Sequence, residues 1–207
     1  MTLPEGKFGA ILVDPPWHFV CYTDQRVTYL ERGRTVRAPE AHYETTDTAA
    51  IAALPVASCA ADDCALFLWA TMPMLPEALQ VIAAWGFAYK TCAFTWVKVK
   101  ADGRPIMGLG YWTRANAELC LLATRGHPKR THADVPQAII ERRREHSRKP
   151  DCVHGRIARL CAGPYLELYG RKSVAGWTVI GNESTLFDCR DEPPATGLWT
   201  PQEGLDL

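Results

Sequence analysis

The segment Gly9-Ala10-Ile11-Leu12-Val13-Asp14-Pro15-Pro16-Trp17 limits the fold more than any other stretch of the chain. Ile11, Leu12 and Val13 are an uninterrupted branched, apolar run that reads as a buried strand. Two consecutive prolines then stop it. Neither can donate to a sheet ladder or enter a helix interior, so the chain leaves the strand in a fixed, extended direction. Asp14 is thereby placed at the carboxyl end of the strand, the edge at which open α/β sheets bind ligands.

The residue types at that exit fit one demanding reaction. The exocyclic amine of a nucleobase is a poor nucleophile because its lone pair is delocalised into the ring. The Asp14 carboxylate and the Pro15 carbonyl, which has no N–H beside it at Pro16, can each accept one of the amine's two N–H groups. That favours a pyramidal nitrogen whose lone pair faces an electrophile. Trp17 offers a flat face for base stacking, worth ~1–3 kcal/mol. The alternative is a surface turn beside a core tryptophan, since proline pairs mark turns generally. The buried strand directly before the motif favours function, with Asp14, Pro15, Pro16 and Trp17 as the catalytic set.

The 207 residues are 47% hydrophobic and 22% charged, enough for one domain with a sizeable core. That domain is expected over residues 1–190, and 191–207, rich in Pro, Gly and acids, reads as a flexible tail. No apolar run is long enough to cross a membrane, and the first residues lack the pattern of a secretory signal. The eight cysteines contain no Cys-x-x-Cys pair, so they read as reduced thiols of a cytoplasmic protein, and no metal site is expected. Net charge is zero, yet Arg125 to Lys149 carries eight basic side chains against three acids. Such a stripe, with Arg142, Arg143, Arg144 and Lys149 within it, is the footprint of a polyanion such as nucleic acid, or else a solvated helix face.

Apolar strands are expected at Cys64–Trp69, Phe87–Val97, Glu118–Ala123, Tyr165–Arg171 and Trp177–Glu183. Helices are expected near Thr46–Leu54, Pro73–Trp85 (stopped by Gly86), Pro136–Arg144 and His154–Cys161. The polar stretch from His18 to Tyr43, with Arg26, Arg32, Arg34 and Arg37, is a candidate substrate lid, and the Gly-rich stretch from Ala101 to Gly110 is a second loop. Strands alternating with helices argue for an α/β fold with a mostly parallel sheet and helices on both faces. The exits Gly170-Arg171 and Gly181-Asn182-Glu183 then share an edge with Asp14. Asn182 and Glu183 can hydrogen-bond a ribose diol there, and Arg171 can reach the same ribose or a carboxylate.

Six stretches recur in a recognisable order: Asp14-Pro15-Pro16-Trp17; Phe67-Leu68-Trp69; Gly110-Tyr111-Trp112 through Glu118-Leu119-Cys120-Leu121; His146-Ser147-Arg148-Lys149-Pro150-Asp151; Glu167-Leu168-Tyr169-Gly170-Arg171; and Gly176-Trp177 with Gly181-Asn182-Glu183. As a set they resemble the N6-adenine methyltransferase family that includes the catalytic subunit of the eukaryotic messenger-RNA N6-adenosine methyltransferase and small bacterial and phage relatives. The resemblance implies a Rossmann-like, S-adenosylmethionine-dependent fold with its motifs in permuted order. It implies that Asp14, Lys149, Arg171, Ser173, Asn182 and Glu183 contact the cofactor. The activity implied is methyl transfer to the N6 amine of adenine in nucleic acid. DNA is favoured, because a small chain resembles the stand-alone bacterial and phage members. The alternatives are an RNA adenosine N6-methyltransferase and a non-catalytic nucleic-acid-binding partner subunit.

Overall fold

The computed structural model describes residues 1–17, 46–108, 112–145, 148–182 and 184–188. The whole expected lid, His18 to Tyr43, lies outside the described residues, as do 44–45, 109–111, His146, Ser147, Glu183 and the tail from 189 onward.

The strands are β1 (Phe8–Val13), β2 (Ala60–Ala70), β3 (Ala88–Val99), β4 (Ala117–Arg125), β5 (Ala138–Arg142), β6 (Tyr165–Leu168) and β7 (Trp177–Ile180). They form one seven-stranded sheet in the order β5-β3-β4-β2-β1-β6-β7. β1 pairs parallel to both β2 and β6, β6 to β7 and β3 to β5, while β4 runs antiparallel to both its neighbours, β2 and β3. The sheet is thus mostly parallel with one reversed strand. Val13 lies opposite Leu68 on one side and Leu168 on the other, so β1 is central and Asp14 emerges mid-edge.

Each face of the sheet is covered. The helices α1 (Thr48–Ala52), α2 (Val56–Cys59) and α3 (Leu75–Ala84) lie on one face and α4 (Cys152–Leu160) on the other. Ile11, Val13, Leu66 and Leu68 pack with Ile51, Val56, Val81 and Ile82 in the first core. Their alternate neighbours Ala10, Leu12, Phe67 and Trp69 pack with Val153 and Ile157 in the second. Strand alternation thus splits one apolar run between two cores. In α3 the buried residues are Ala78, Val81 and Ile82, whereas Leu79 is 36% exposed. Gly86 ends the helix at φ 78°, a conformation glycine adopts without steric penalty.

One expected helix is a strand. Residues 136–144 contain β5, whose burial alternates with period two: Ile139 is buried while Ala138 and Ile140 are exposed. Adjacent β-branched isoleucines on an edge strand favour the pleat, and β3 supplies the ladder partners, Trp96 opposite Ile139. The short return from β6 to β7 is made possible by Tyr169 (φ 63°) and Gly176 (φ 79°), two left-handed residues that reverse the chain.

Candidate active site

β1 delivers Asp14 to the carboxyl edge of the sheet, and the Asp14 N–H extends the ladder by donating to the Leu168 carbonyl at 3.4 Å. The two prolines turn the chain away, and the Trp17 N–H donates back to the Pro15 carbonyl at 2.8 Å. The Pro15 oxygen therefore has a local donor after all, and one lone pair remains for another. Trp17 is only 4% exposed and packs in the first core with Val13, Leu68 and Met74. Its indole Nε1–H donates to the Trp69 carbonyl at 2.9 Å. The stacking face expected from the sequence is thus turned inward. Trp17 acts as a peg that fixes the turn against the end of β2.

Lys149 reaches Asp14 from the segment before α4, its Nζ 2.7 Å from Oδ2. The same ammonium lies 3.4 Å from Oε2 of Glu118 on β4 and 5.5 Å from the centre of the Trp69 ring. Glu118 is itself paired with Lys98 on β3. Four alternating charges, Asp14, Lys149, Glu118 and Lys98, therefore form a row across β1, β4 and β3, and all but Asp14 have side chains no more than 21% exposed. Burial pushes the Asp14 carboxyl above the ordinary carboxylate range, against the downward pull of Lys149 and, more weakly, Arg171. Burial also pushes Glu118 upward, but Lys149 and Lys98 outweigh it and hold Glu118 down at about 2. The two carboxyls are thus shifted in opposite directions, Glu118 toward its anion and Asp14 toward its acid.

Glu118, Lys98 and Trp69 are the members of this cluster that sequence reasoning did not assign. The signal for Glu118 was a lone acid in the apolar strand Ala117–Ala123. A charge there must be solvated or paired, and its partner comes from a segment remote in sequence.

The remaining assigned residues separate into two groups. Arg171 and Asn182 follow β6 and β7 on the Asp14 edge, as expected. Between them the backbones nearly touch: a Cβ on Gly181 would lie 2.2 Å from the Gly170 carbonyl oxygen, and one on Gly170 would lie 2.3 Å from a Val179 methyl. Ser173 commits its N–H and hydroxyl to Asp188 at 2.7 and 2.8 Å, while the Phe187 N–H donates to the Arg171 carbonyl at 3.1 Å. The turn 184–188 therefore clasps the Arg171–Ser173 segment. Two close-packed glycine exits on the edge that also carries Arg171 and Asn182 are residues that could hold a cofactor bearing a ribose and a carboxylate.

The expected basic stripe is only partly free. Arg144 binds Asp151 at 2.6 Å and the Lys149 carbonyl at 3.0 Å. Arg148 is 6% exposed, held by Glu145 and Asp151, with its guanidinium 4.9 Å from the Phe187 ring centre. Arg142 and Arg143 remain exposed. Two of these arginines thus brace the Lys149 segment instead of forming a solvated face. Among the described residues no cluster of His, Cys, Asp and Glu could hold a metal ion, and no helix is long and apolar enough to cross a membrane.

The MT-A70 family model matches residues 8–183. Type II methyltransferase M.MunI from Mycoplasma sp is 30% identical over 205 residues, covering 94% of this chain and 84% of the relative. The N(6)-adenosine-methyltransferase catalytic subunit METTL3 of Homo sapiens is 27% identical over 190 residues, covering 86% of this chain and 28% of METTL3. A putative N(6)-adenosine-methyltransferase MT-A70-like protein of Medicago truncatula is 28% identical over 193 residues, again with 28% of its length covered. With the family match reaching from the start of β1 past β7, the chain belongs to the MT-A70 family of S-adenosylmethionine-dependent N6-adenine methyltransferases.

Proposed function

We propose that this enzyme methylates the N6 amine of adenine in DNA, in the cytoplasm. The observation that carries the catalytic reading is the Asp14–Lys149 contact at the end of the central strand. Lys149 occupies Oδ2, which leaves Oδ1 to accept one N–H of the target amine. The second lone pair of the Pro15 carbonyl accepts the other N–H. S-adenosylmethionine, when bound, supplies an electrophilic methyl group on a sulfonium. Transfer would break the methyl–sulfur bond, leaving a neutral thioether, and would make the amine nitrogen cationic; the proton it then sheds would pass to Asp14, whose proton affinity is raised.

The same reading assigns cofactor contacts to Arg171 and Asn182, with Glu183 beyond the described residues and Ser173 shaping the turn through Asp188. Chain order places the Asp14 strand before this cofactor edge, in keeping with permuted motifs. Of Arg142, Arg143, Arg144 and Lys149, the exposed Arg142 and Arg143 are the ones left to meet phosphates. DNA is favoured because the match to the type II methyltransferase spans most of both chains, whereas the relatives named for adenosine are covered over about a quarter. A non-catalytic partner subunit would have no use for Asp14 held in a buried charge row.

The decisive experiment incubates the protein with methyl-labelled cofactor and single- and double-stranded DNA and RNA, then identifies the labelled nucleoside. N6-methyldeoxyadenosine from DNA is expected. Label in N6-methyladenosine from RNA alone would replace the DNA assignment, and label in cytosine would replace the base assignment.

A further inference from the structure

Between β3 and β4 the chain makes an extended hairpin at the same edge as Asp14. Its stem is well bonded. Lys98 N–H donates to the Asn116 carbonyl at 2.9 Å, Ile106 N–H to Lys98 at 2.8 Å and Gly108 N–H to Ala115 at 2.9 Å. Gly108 approaches Ala115 so closely that a Cβ there would lie 2.3 Å from its carbonyl oxygen. Just past this stem stands Trp112, fully exposed at 100%. An indole presents the largest apolar surface of any side chain, and leaving it wholly in water forgoes that burial. Within the same hairpin Lys100, Arg104 and Arg114 are also exposed, against the single acid Asp102, which accepts from the Arg104 N–H at 3.0 Å and lies 3.9 Å from its Nε. The root of the hairpin is Lys98, the last member of the charge row that reaches Asp14.

We propose that Trp112 is a base-stacking contact for the nucleic-acid strand, taking a nucleobase that neighbours the target adenine. A flat aromatic face flanked by cations is the general chemistry of sequence-tolerant strand binding. Trp17 does not supply this face, because its indole is buried. Lys100, Arg104 and Arg114 hold the adjoining phosphates. The proposal rests on the nucleic-acid reading above, and its test separates the two.

The test measures binding of fluorescent single-stranded 12-mers containing one adenine. A series of these carries an abasic site at each flanking position in turn. Wild-type protein is expected to lose about tenfold in affinity when one particular flanking base is missing. Trp112→Ala is expected to bind the intact strand about tenfold more weakly and to be indifferent to that abasic position. Trp112→Phe should retain most of the affinity, and cofactor affinity should be unchanged in both variants. Equal binding by wild type and Trp112→Ala, or losses in the variant that still depend on the same flanking base, would overturn the stacking assignment while leaving methyl transfer intact. A Trp112→Ala protein that binds strands normally but changes its sedimentation would overturn it in favour of a protein contact. If wild-type protein binds no strand at all, the nucleic-acid reading falls as well.

Discussion

At the carboxyl ends of β1 and β3 the ligand edge is built from buried, paired charges; at those of β6 and β7 it is built from bare backbone. The first end has Asp14, Lys149, Glu118 and Lys98 in a row, with burial and pairing shifting the proton affinities of its two carboxylates. The second has Gly170 and Gly181 in near contact, one left-handed tyrosine and a clasp made by Phe187 and Asp188. A charge row can hold or release a proton but tolerates no missing member. A glycine cradle offers shape and N–H groups and is spoiled by a single added methyl. On the proposed reading, chemistry belongs to the first end and cofactor capture to the second.

The largest effect is expected from Asp14→Ala or Asp14→Asn. The loss of the group proposed to hold the amine and take its proton should lower turnover by about 10²–10⁴-fold. Cofactor affinity, read by calorimetry, should largely survive. A variant with full turnover would end the assignment of chemistry to this end.

Next comes Glu118→Gln. Removing one partner from a buried ion pair costs roughly 3–5 kcal/mol, because the other charges stay buried. Denaturant midpoints should fall accordingly. Because Glu118 is held at about 2, its contribution to stability is complete above its ordinary value of 4.5 and is lost as pH falls toward 2. That acid limb should be shallower in the variant. An identical limb in both proteins would mean that Glu118 is not the anion of the row.

Asp14 shifts the opposite way, so its effect is on activity. Its raised proton affinity places the acid limb of kcat/KM above 3.8, the ordinary value for aspartate. Lys149→Met removes the main pull toward the charged form and should move that limb further up in pH. A limb unmoved by Lys149→Met would separate Lys149 from the proton-handling role.

Gly181→Ala probes the other end. Its Cβ would collide with the Gly170 carbonyl, at a cost of ~1–3 kcal/mol. Cofactor binding should weaken, while turnover at saturating cofactor returns close to wild type. Turnover that stays low at saturation would show that the two ends are not separable.

The smallest effect is expected from Arg142→Ala combined with Arg143→Ala. Nucleic-acid affinity should fall alike for all sequences, and the slope of log affinity against log salt should flatten by about 1–2. An unchanged slope would make these arginines plain solvated residues of an edge strand.

How much of this could be read in advance differs between the two ends. Asp14 was legible because an apolar strand followed by two prolines admits few structures. The glycines after β6 and β7 were legible as strand exits. The charge row was not, because Glu118 and Lys149 are brought together only by the strand order β4-β2-β1, which local patterns do not encode. Trp17 read as a platform and is a peg, because exposure depends on the β2 carbonyl that receives its N–H. The Pro136–Arg144 segment read as a helix because a short run with apolar, basic and acidic residues satisfies either period. The β3 edge that decides the matter lies some forty residues earlier.

The reversed strand β4 has an evolutionary consequence. In a wholly parallel sheet every link between adjacent strands must cross to the far side, usually through a helix packed on the core. Running β4 backwards lets β3 turn directly into it on the ligand side. Glu118 enters the charge row near the beginning of a strand, and the hairpin that carries Trp112 hangs free of both cores. Such a hairpin can lengthen, shorten or exchange its tip while the register of β3 against β4 stays fixed. Partner choice can therefore drift between lineages on a module that leaves the reacting groups untouched.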